Sequence, residues 1–265
     1  MHEAGGSPHA LKQLRDWRSR GTMRAVSGIF LLGLVATLLA GCASEDASPS
    51  AVAANDPYET TNRQVFVFNQ KLDKYVFLPG AKTYVAVVPE PARDGIHNFI
   101  LNLDLPVTFA NDVLQGDFDR AGDTLGRFGL NTTLGVGGLF DPASDFGIPY
   151  HKNDFGITLG TWGVGEGPYL VLPVLQSDPP RDVAGQVVDI FLDPFTYVKL
   201  REHFYYSAGR EFFSLLDLRA RNIDTLANIE RSSIDYYASV RSLYRQNRNN
   251  AIHKGEPDMN SLPNL

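Results

Sequence analysis

A single long apolar run interrupts this chain of 265 residues, and it stops at the chain's only cysteine. The run is AVSGIFLLGLVATLLAG, 17 residues from Ala25 to Gly41. That lies at the short edge of a membrane span, which takes about 20 residues of helix. Nothing after Cys42 approaches this length; the longest candidate, Tyr169 to Leu175, is broken by Pro173. The remainder must therefore fold through amphipathic patterning. One cysteine cannot form an internal disulfide, nor build a cysteine-based zinc site alone.

The flanks of the run give it a purpose. Lys12, Arg15, Arg18, Arg20 and Arg24 precede it, and the polar stretch SEDASPSAVAAND follows. Basic region, apolar region, small residues and polar linker, in that order, predict an export signal over residues 1–41. Met23, directly before Arg24, offers an alternative start. Leu39-Ala40-Gly41-Cys42 resembles the lipobox of bacterial lipoproteins. The resemblance implies cleavage before Cys42, with a diacylglycerol on its sulfur and an acyl group on its new amino end. One acyl chain binds a membrane only marginally, whereas two or more hold it. Ala43 stands where, by the same resemblance, an aspartate would favour retention in the inner membrane; its absence favours the outer membrane. Residues 42–55 then form a lipidated tether, 56–250 a helical domain, and 251–265 a polar tail read as disordered.

Removing residues 1–41 makes the chain more acidic. That segment holds five of the 24 basic and two of the 30 acidic residues, leaving 19 against 28, a net of −9. Such a surface is unsuited to nucleic-acid phosphates and to docking on anionic lipid. About 210 residues follow the tether, enough for one large domain.

The pattern along that domain is mainly helical. Asp56-Pro57-Tyr58-Glu59 reads as a capped helix start, followed by Val65, Phe68, Leu72, Tyr75 and Val76 on one stripe. Pro79-Gly80 is expected to end that helix, and Tyr84 to Val88 is β-prone. Pro91 opens a second helix with Ile96, Phe99, Ile100 and Leu103; Pro106 opens a third, stopped at Gly116. Asp117 caps a fourth, bearing Phe118, Ala121, Leu125 and Phe128. Asp178 is expected to cap the helix in SDPPRDVAGQVVDIF, and Phe195 to Asn249 is helical almost throughout. Taken singly, each apolar stripe reads as a core face; several together also suit a membrane interface.

The middle differs. Residues 126–167 hold 11 of the 24 glycines, interleaved with Leu, Val, Phe, Ile and Trp rather than with Ser and charge. That composition predicts backbone packed closely against apolar groups, or backbone that moves.

No catalytic apparatus emerges. His97, His151, His203 and His253 lack the four-residue spacing of a zinc protease and read as surface or hydrogen-bonded side chains. There is no Gly-x-Ser-x-Gly or Ser-x-x-Lys, and Gly163-Val164-Gly165-Glu166-Gly167 has neither dinucleotide spacing nor a phosphate-loop lysine. Asp141, Asp145 and Asp154 suit caps and turns better than an acid–base pair. No catalytic residue, metal ligand or cofactor other than the lipid on Cys42 is expected.

Several ordered motifs resemble one family. They are NDPYETTNRQVFVFN (55–69), PEPARDGIHNFILNLDLP (89–106), LQGD (114–117), RFGLNTTLGVGGLFD (127–141), DFGITLGTWGVGEGPYLVLP (154–173) and Arg181-Asp182. Together they are similar to the MlaA (VacJ) outer-membrane lipoproteins. The resemblance implies a single ring-like, mainly α domain with a Gly-rich apolar hairpin segment, behind a lipoprotein signal. It implies binding of phospholipid, residence on the periplasmic side of the outer membrane, complex formation with a trimeric porin and hand-off to a soluble periplasmic lipid carrier. The task so implied is removal of mislocalised phospholipids from the outer leaflet, which preserves lipid asymmetry. On this reading helices 57–78, 91–103 and 118–132 form the ring wall. Leu134, Gly135, Gly137, Gly138, Leu139 and Phe140 line or gate the channel, although a rigid packed turn explains them equally well. The stretch Ile148 to Asn153 is generic and receives no role. Two other classes compete: a porin-associated structural lipoprotein without lipid transfer, and a tethered lipid hydrolase.

Overall fold

Ten α-helices, a π turn and a 3-10 turn make up most of the described chain. A computed structural model describes residues 55–174, 177–197 and 203–255. The signal, Cys42, the tether to residue 54 and the tail from 256 lie outside the described residues. The helices are α1 (Glu59–Leu72), α2 (Leu78–Val87), α3 (Glu90–Leu114), α4 (Phe118–Thr133) and α5 (Pro142–Asp145). They continue as α6 (Phe155–Thr161), α7 (Pro180–Leu192), α8 (His203–Arg221), α9 (Ile223–Ser232) and α10 (Tyr236–Ile252). The mainly helical expectation therefore holds, and α10 runs two residues into the stretch expected to be a tail. Among the described residues the one β feature is an isolated antiparallel bridge, Val171 to Ser177.

Where local rules suffice, the expected boundaries stand. Asp117 caps α4 by accepting from Arg120 N at 3.1 Å. Gly116 ends α3 at φ +71°, a left-handed conformation that glycine adopts without steric cost. Asp141 and Asp154 cap α5 and α6, accepting from Ser144 N and Ile157 N. These two aspartates are caps, as the sequence favoured.

Five expectations differ. Asp56 does not cap α1: Tyr58 holds that position without a side-chain bond. Asp56 is instead fully buried, accepting from Asn62 (2.7 Å), Tyr237 (2.5 Å) and Arg241 (2.6 Å). Pro79-Gly80 does not stop the chain. A π turn, Asp73–Phe77, widens the helix there, and the Leu78 N–H reaches Asp73 O. Pro79 then falls in the first turn of α2, where a missing N–H matters least. The β-prone Tyr84 to Val87 stays helical because Ala81 and Tyr84 pack on Leu216 and Ala220 of α8. Tertiary burial overrides the local preference. Pro106 lies inside a continuous 25-residue α3 rather than opening a helix. An interior proline costs about 3 kcal/mol, offset by buried Leu103, Leu105, Thr108, Asn111 and Asp112 around it. Asp178 likewise caps nothing; Pro179 is the N-cap of α7, and Asp178 accepts from Gln186.

Packing follows from these elements. Helix α3 lies along α4, α6 against α7, α2 against α8 and α10 against α6. The α6–α7 approach is so close that a Cβ on Gly185 would stand 2.3 Å from Gly156 N. Three asparagines spaced seven apart hold the extended segment 166–174. Asn55 donates to Glu166 and Gly167 O. Asn62 donates to Tyr169 O and accepts from Val171 N. Asn69 does the same for Leu172 O and Val174 N. A side-chain amide offers one donor face and one acceptor, so it substitutes for a neighbouring strand.

Asp56 ties this N-terminal region to α10. Asp56→Ala strands Arg241, itself mostly buried. It is expected to cost about 3–5 kcal/mol, the usual range for removing one partner of a buried ion pair. Urea unfolding of the purified protein measures it; a loss below about 1 kcal/mol would show that solvent replaces the carboxylate.

Candidate functional site

Two helices carry their polarity inverted. Helix α4 buries Ala121, Thr124, Arg127 and Asn131 and turns outward Phe118 (72% exposed) and Leu125 (55%). Of the α4 stripe, Ala121 is buried and Phe128 half-buried while Phe118 and Leu125 face out, so the core reading of this helix taken singly holds only in part. Helix α7 buries Arg181, Asp182 and Gly185 and exposes Val187, Ile190 and Phe191. The stripe running from α1 into the π turn also faces out at Phe68, Tyr75 and Val76. Burying a large apolar side chain is worth about 1.5–3 kcal/mol in water, and burying charge is costly. Single exposed hydrophobes are ordinary. Exposed hydrophobes opposite buried charge on the same helix indicate an apolar surrounding. Among the described residues no helix is long and apolar enough to cross a membrane.

The buried charges of α3, α4 and α7 are held by partners, although Arg127 Nε has none. On α3, Asp112 is fully buried and accepts from Thr124 (2.7 Å) and Asn153 (2.8 Å), with His151 Nε2 at 3.0 Å. Next to it Asn111 donates to Asp189 (2.9 Å) and accepts from Thr158 (2.8 Å). Burial raises the Asp189 pKa, against hydrogen bonds from Phe155 N and Asn111. Arg127 of α4 grips Asp141 with two bonds of 2.8 and 2.6 Å and donates to Ile148 O at 2.5 Å. Burial pushes Asp141 upward, but Ser144, Asn131 and Arg127 outweigh it and hold its pKa below the usual carboxylate range. Arg248 of α10 bridges Asp154 (2.6 Å) and Asp182 (2.9 Å). Asp182 is also held below its ordinary value: its donors Arg248, Arg181 and Tyr244 overcome burial. Burial pushes the Tyr150 hydroxyl up to about 12.

The glycine turn sits at the end of α4. Leu134 caps that helix and is exposed, as are Val136, Leu139 and Phe140. Gly135 is wedged between backbone: a Cβ there would stand 2.4 Å from both Asn131 O and Phe140 O. Gly137 (φ +74°) faces open space, and Gly138 (φ +96°) lies against Asn102 of α3. The segment thus presents apolar side chains outward and seats its backbone on α3.

The remaining sequence candidates are dispersed. His97 Nδ1 lies 2.7 Å from Asp217, and His151 belongs to the Asp112 cluster. His203 begins α8, His253 follows α10, and Asp145 closes α5. Among the described residues no three His, Cys, Asp or Glu side chains converge on a metal position. The stretch Ile148 to Asn153, given no role above, supplies three of the interior contacts: Ile148 O, His151 and Asn153. The signal was a helical one. Thr124, Arg127 and Asn131 recur at three- and four-residue spacing, marking a polar inner stripe that calls for polar partners.

Comparison with known proteins gives a consistent result. The family model described as MlaA lipoprotein matches residues 54–251. The intermembrane phospholipid transport system lipoprotein MlaA of Escherichia coli K12 is 35% identical over 237 residues, spanning 88% of this chain and 92% of that protein. Its namesake in Haemophilus influenzae is 34% identical over 228 residues, 84% of this chain and 89% of that one. A chain solved to explain the structural basis for maintenance of bacterial outer membrane lipid asymmetry is similar at TM-score 0.68. It is 37% identical, with 74% of this chain and 98% of that one covered.

Two outcomes follow from the inverted helices. Phe118→Glu or Phe191→Glu should leave the unfolding midpoint of the detergent-purified protein within about 0.5 kcal/mol, since both sites are exposed. Either should reduce the membrane-bound fraction in cells; unchanged fractionation would mean these faces do not meet lipid. The acid limb has a definite sign. Asp141 and Asp182 have folded pKa values below the unfolded value of about 4, so their stabilisation is complete above that pH and is lost as pH falls through the folded values. Asp189, raised by burial, acts in the opposite sense. Asp141→Asn should therefore flatten the loss of stability below about pH 4; parallel losses in variant and parent would contradict this.

Proposed function

The chain belongs to the MlaA lipoprotein family, and from that premise we propose how it works at the outer membrane. It takes mislocalised phospholipids from the outer leaflet and passes them to a soluble periplasmic carrier, preserving lipid asymmetry. The observation that carries this reading is the inversion of α4 and α7, with apolar faces outward and Thr124, Arg127, Asn131, Arg181 and Asp182 inward. A phospholipid crosses a bilayer slowly because its charged head must pass hydrocarbon. A greasy exterior lets the tails stay in lipid, while the polar residues behind it, paired with one another, hold the wall along which the head passes. That task uses no nucleophile and no metal, so the protein acts as a transporter and not as an enzyme. With no nucleotide loop in the sequence, movement is downhill or driven by partners.

The further parts are proposals of the same reading. Cys42 carries a diacylglycerol and an N-acyl group and anchors the chain from the periplasmic side. A trimeric porin holds the domain in the membrane plane. The turn Leu134, Gly135, Gly137, Gly138, Leu139 and Phe140 gates the passage, its glycines permitting close seating and its exposed side chains facing the path.

In a strain lacking the native gene, the parent chain should restore detergent resistance and remove phospholipid from the cell surface, whereas Cys42→Ser should do neither. Mass spectrometry of the mature amino end should find a triacylated cysteine. Reconstituted with a porin, the protein should transfer labelled phospholipid to a periplasmic acceptor; porin binding without transfer would leave a structural lipoprotein instead.

A further inference from the structure

The glycine turn meets α3 along one short face. Gly95, Asn98 and Asn102 stand three and four residues apart and so line up on that helix. A Cβ on Gly95 would lie 3.5 Å from Leu139 O, and Asn98 Nδ2 donates to the same oxygen at 3.4 Å. Closest is Gly138: a Cβ there would come within 2.7 Å of Asn102 Cβ and Nδ2. The backbone of the turn therefore lies flat on the Asn102 side chain, which is buried.

This contact is incompletely satisfied. Asn102 Nδ2 donates to Thr132 Oγ1 at 3.1 Å, while its Oδ1 is buried and has no partner. Whichever way the amide is turned, one end lacks a hydrogen bond, and a buried unpaired polar atom opposes the arrangement that strands it. Pro106, four residues on, supplies no N–H to the Asn102 carbonyl. Within the turn, Val136 stands at φ +53°, a left-handed conformation that a β-branched residue adopts with strain. Two of the turn's bonds run back to α4, Gly137 N to Thr132 O and Gly138 N to Asn131 O, and Phe140 N to Gly135 O closes the turn on itself. The first two tie the turn to α4 and open when it lifts. Its contact with α3 rests on close shape fit and the Asn102–Thr132 bond, opposed by the unpaired amide oxygen and a strained valine.

We propose that Asn102 is the latch of the glycine turn, a positioning residue that decides whether segment 134–140 is seated on α3 or lifted from it. The proposal rests on the reading of that segment as a gate, and it names the residue that sets the balance. Truncating Asn102 removes the surface that Gly138 lies on and the bond to Thr132, and these losses weaken the seat; filling the space at Gly138 would prevent seating altogether.

Hydrogen exchange on the detergent-purified lipoprotein tests it. Asn102→Ala should speed exchange of the Gly137, Gly138 and Phe140 amides at least tenfold, with amides of α6 and α7 unchanged. Thr132→Val, at an exposed position, should speed the same amides by a smaller factor, and it carries the test if Asn102→Ala does not fold. Parental rates at the turn in the folded variants, or equal acceleration throughout the domain, would overturn the latch. Surface phospholipid in complemented cells separates the two ideas. Faster exchange with unchanged lipid asymmetry supports the latch and removes the gate; faster exchange with altered asymmetry supports both.

Discussion

A carboxylate withdrawn from water must find donors, and in this chain those donors come from distant sequence. Buried Asp56 takes Arg241, and buried Asp182, with Asp154, takes Arg248. More exposed carboxylates join the same set: Asp73 pairs with Arg219, and Arg210 and Arg221 reach Asp104 and Asp94 as well as the more buried Asp193 and Asp217. Helices α8 and α10 supply those five arginines, so they act as clamps on the helices before them. The apolar clusters at Ala81–Ala220 and Tyr169–Tyr237 are small by comparison. Paired charge thus ties α8 and α10 to the helices before them, while many large apolar residues lie on the outside.

How much of this the sequence revealed depended on range. Asp117, Asp141 and Asp154 cap helices because the partner is three residues away, and such a rule can be read locally. Asp56 and Asp178 carry the same local signature, yet long-range or next-turn partners captured Asp56 by Arg241 and Asp178 by Gln186. Pro79 and Pro106 looked like helix ends. A π turn absorbed the first, and burial on either side carried α3 through the second. Propensity describes one segment at a time, and neither outcome was decided within one segment.

The candidate site divides in the same way. The glycine turn was legible because apolar residues interleaved with glycine are unusual in a linker. Asn102, which seats it, was not, since an asparagine in a helix has no distinctive pattern. The stripes of α1 and α4 were visible, but periodicity states only that a helix has two faces. It does not state which face looks inward. The inversion became evident only once Arg127 and Asp182 were found inside.

The account stands on what surrounds the outward faces of α4 and α7. Labels placed singly at positions 118, 125, 187 and 191, in protein reconstituted into vesicles, can be quenched by lipids brominated along the acyl chain. Strong quenching at all four, with a label at exposed Asp119 unquenched, is the expected result. Labels at those four positions that escape the brominated chains and react freely with a water-soluble reagent would contradict an apolar surrounding, and with it the passage of lipid heads past a polar interior.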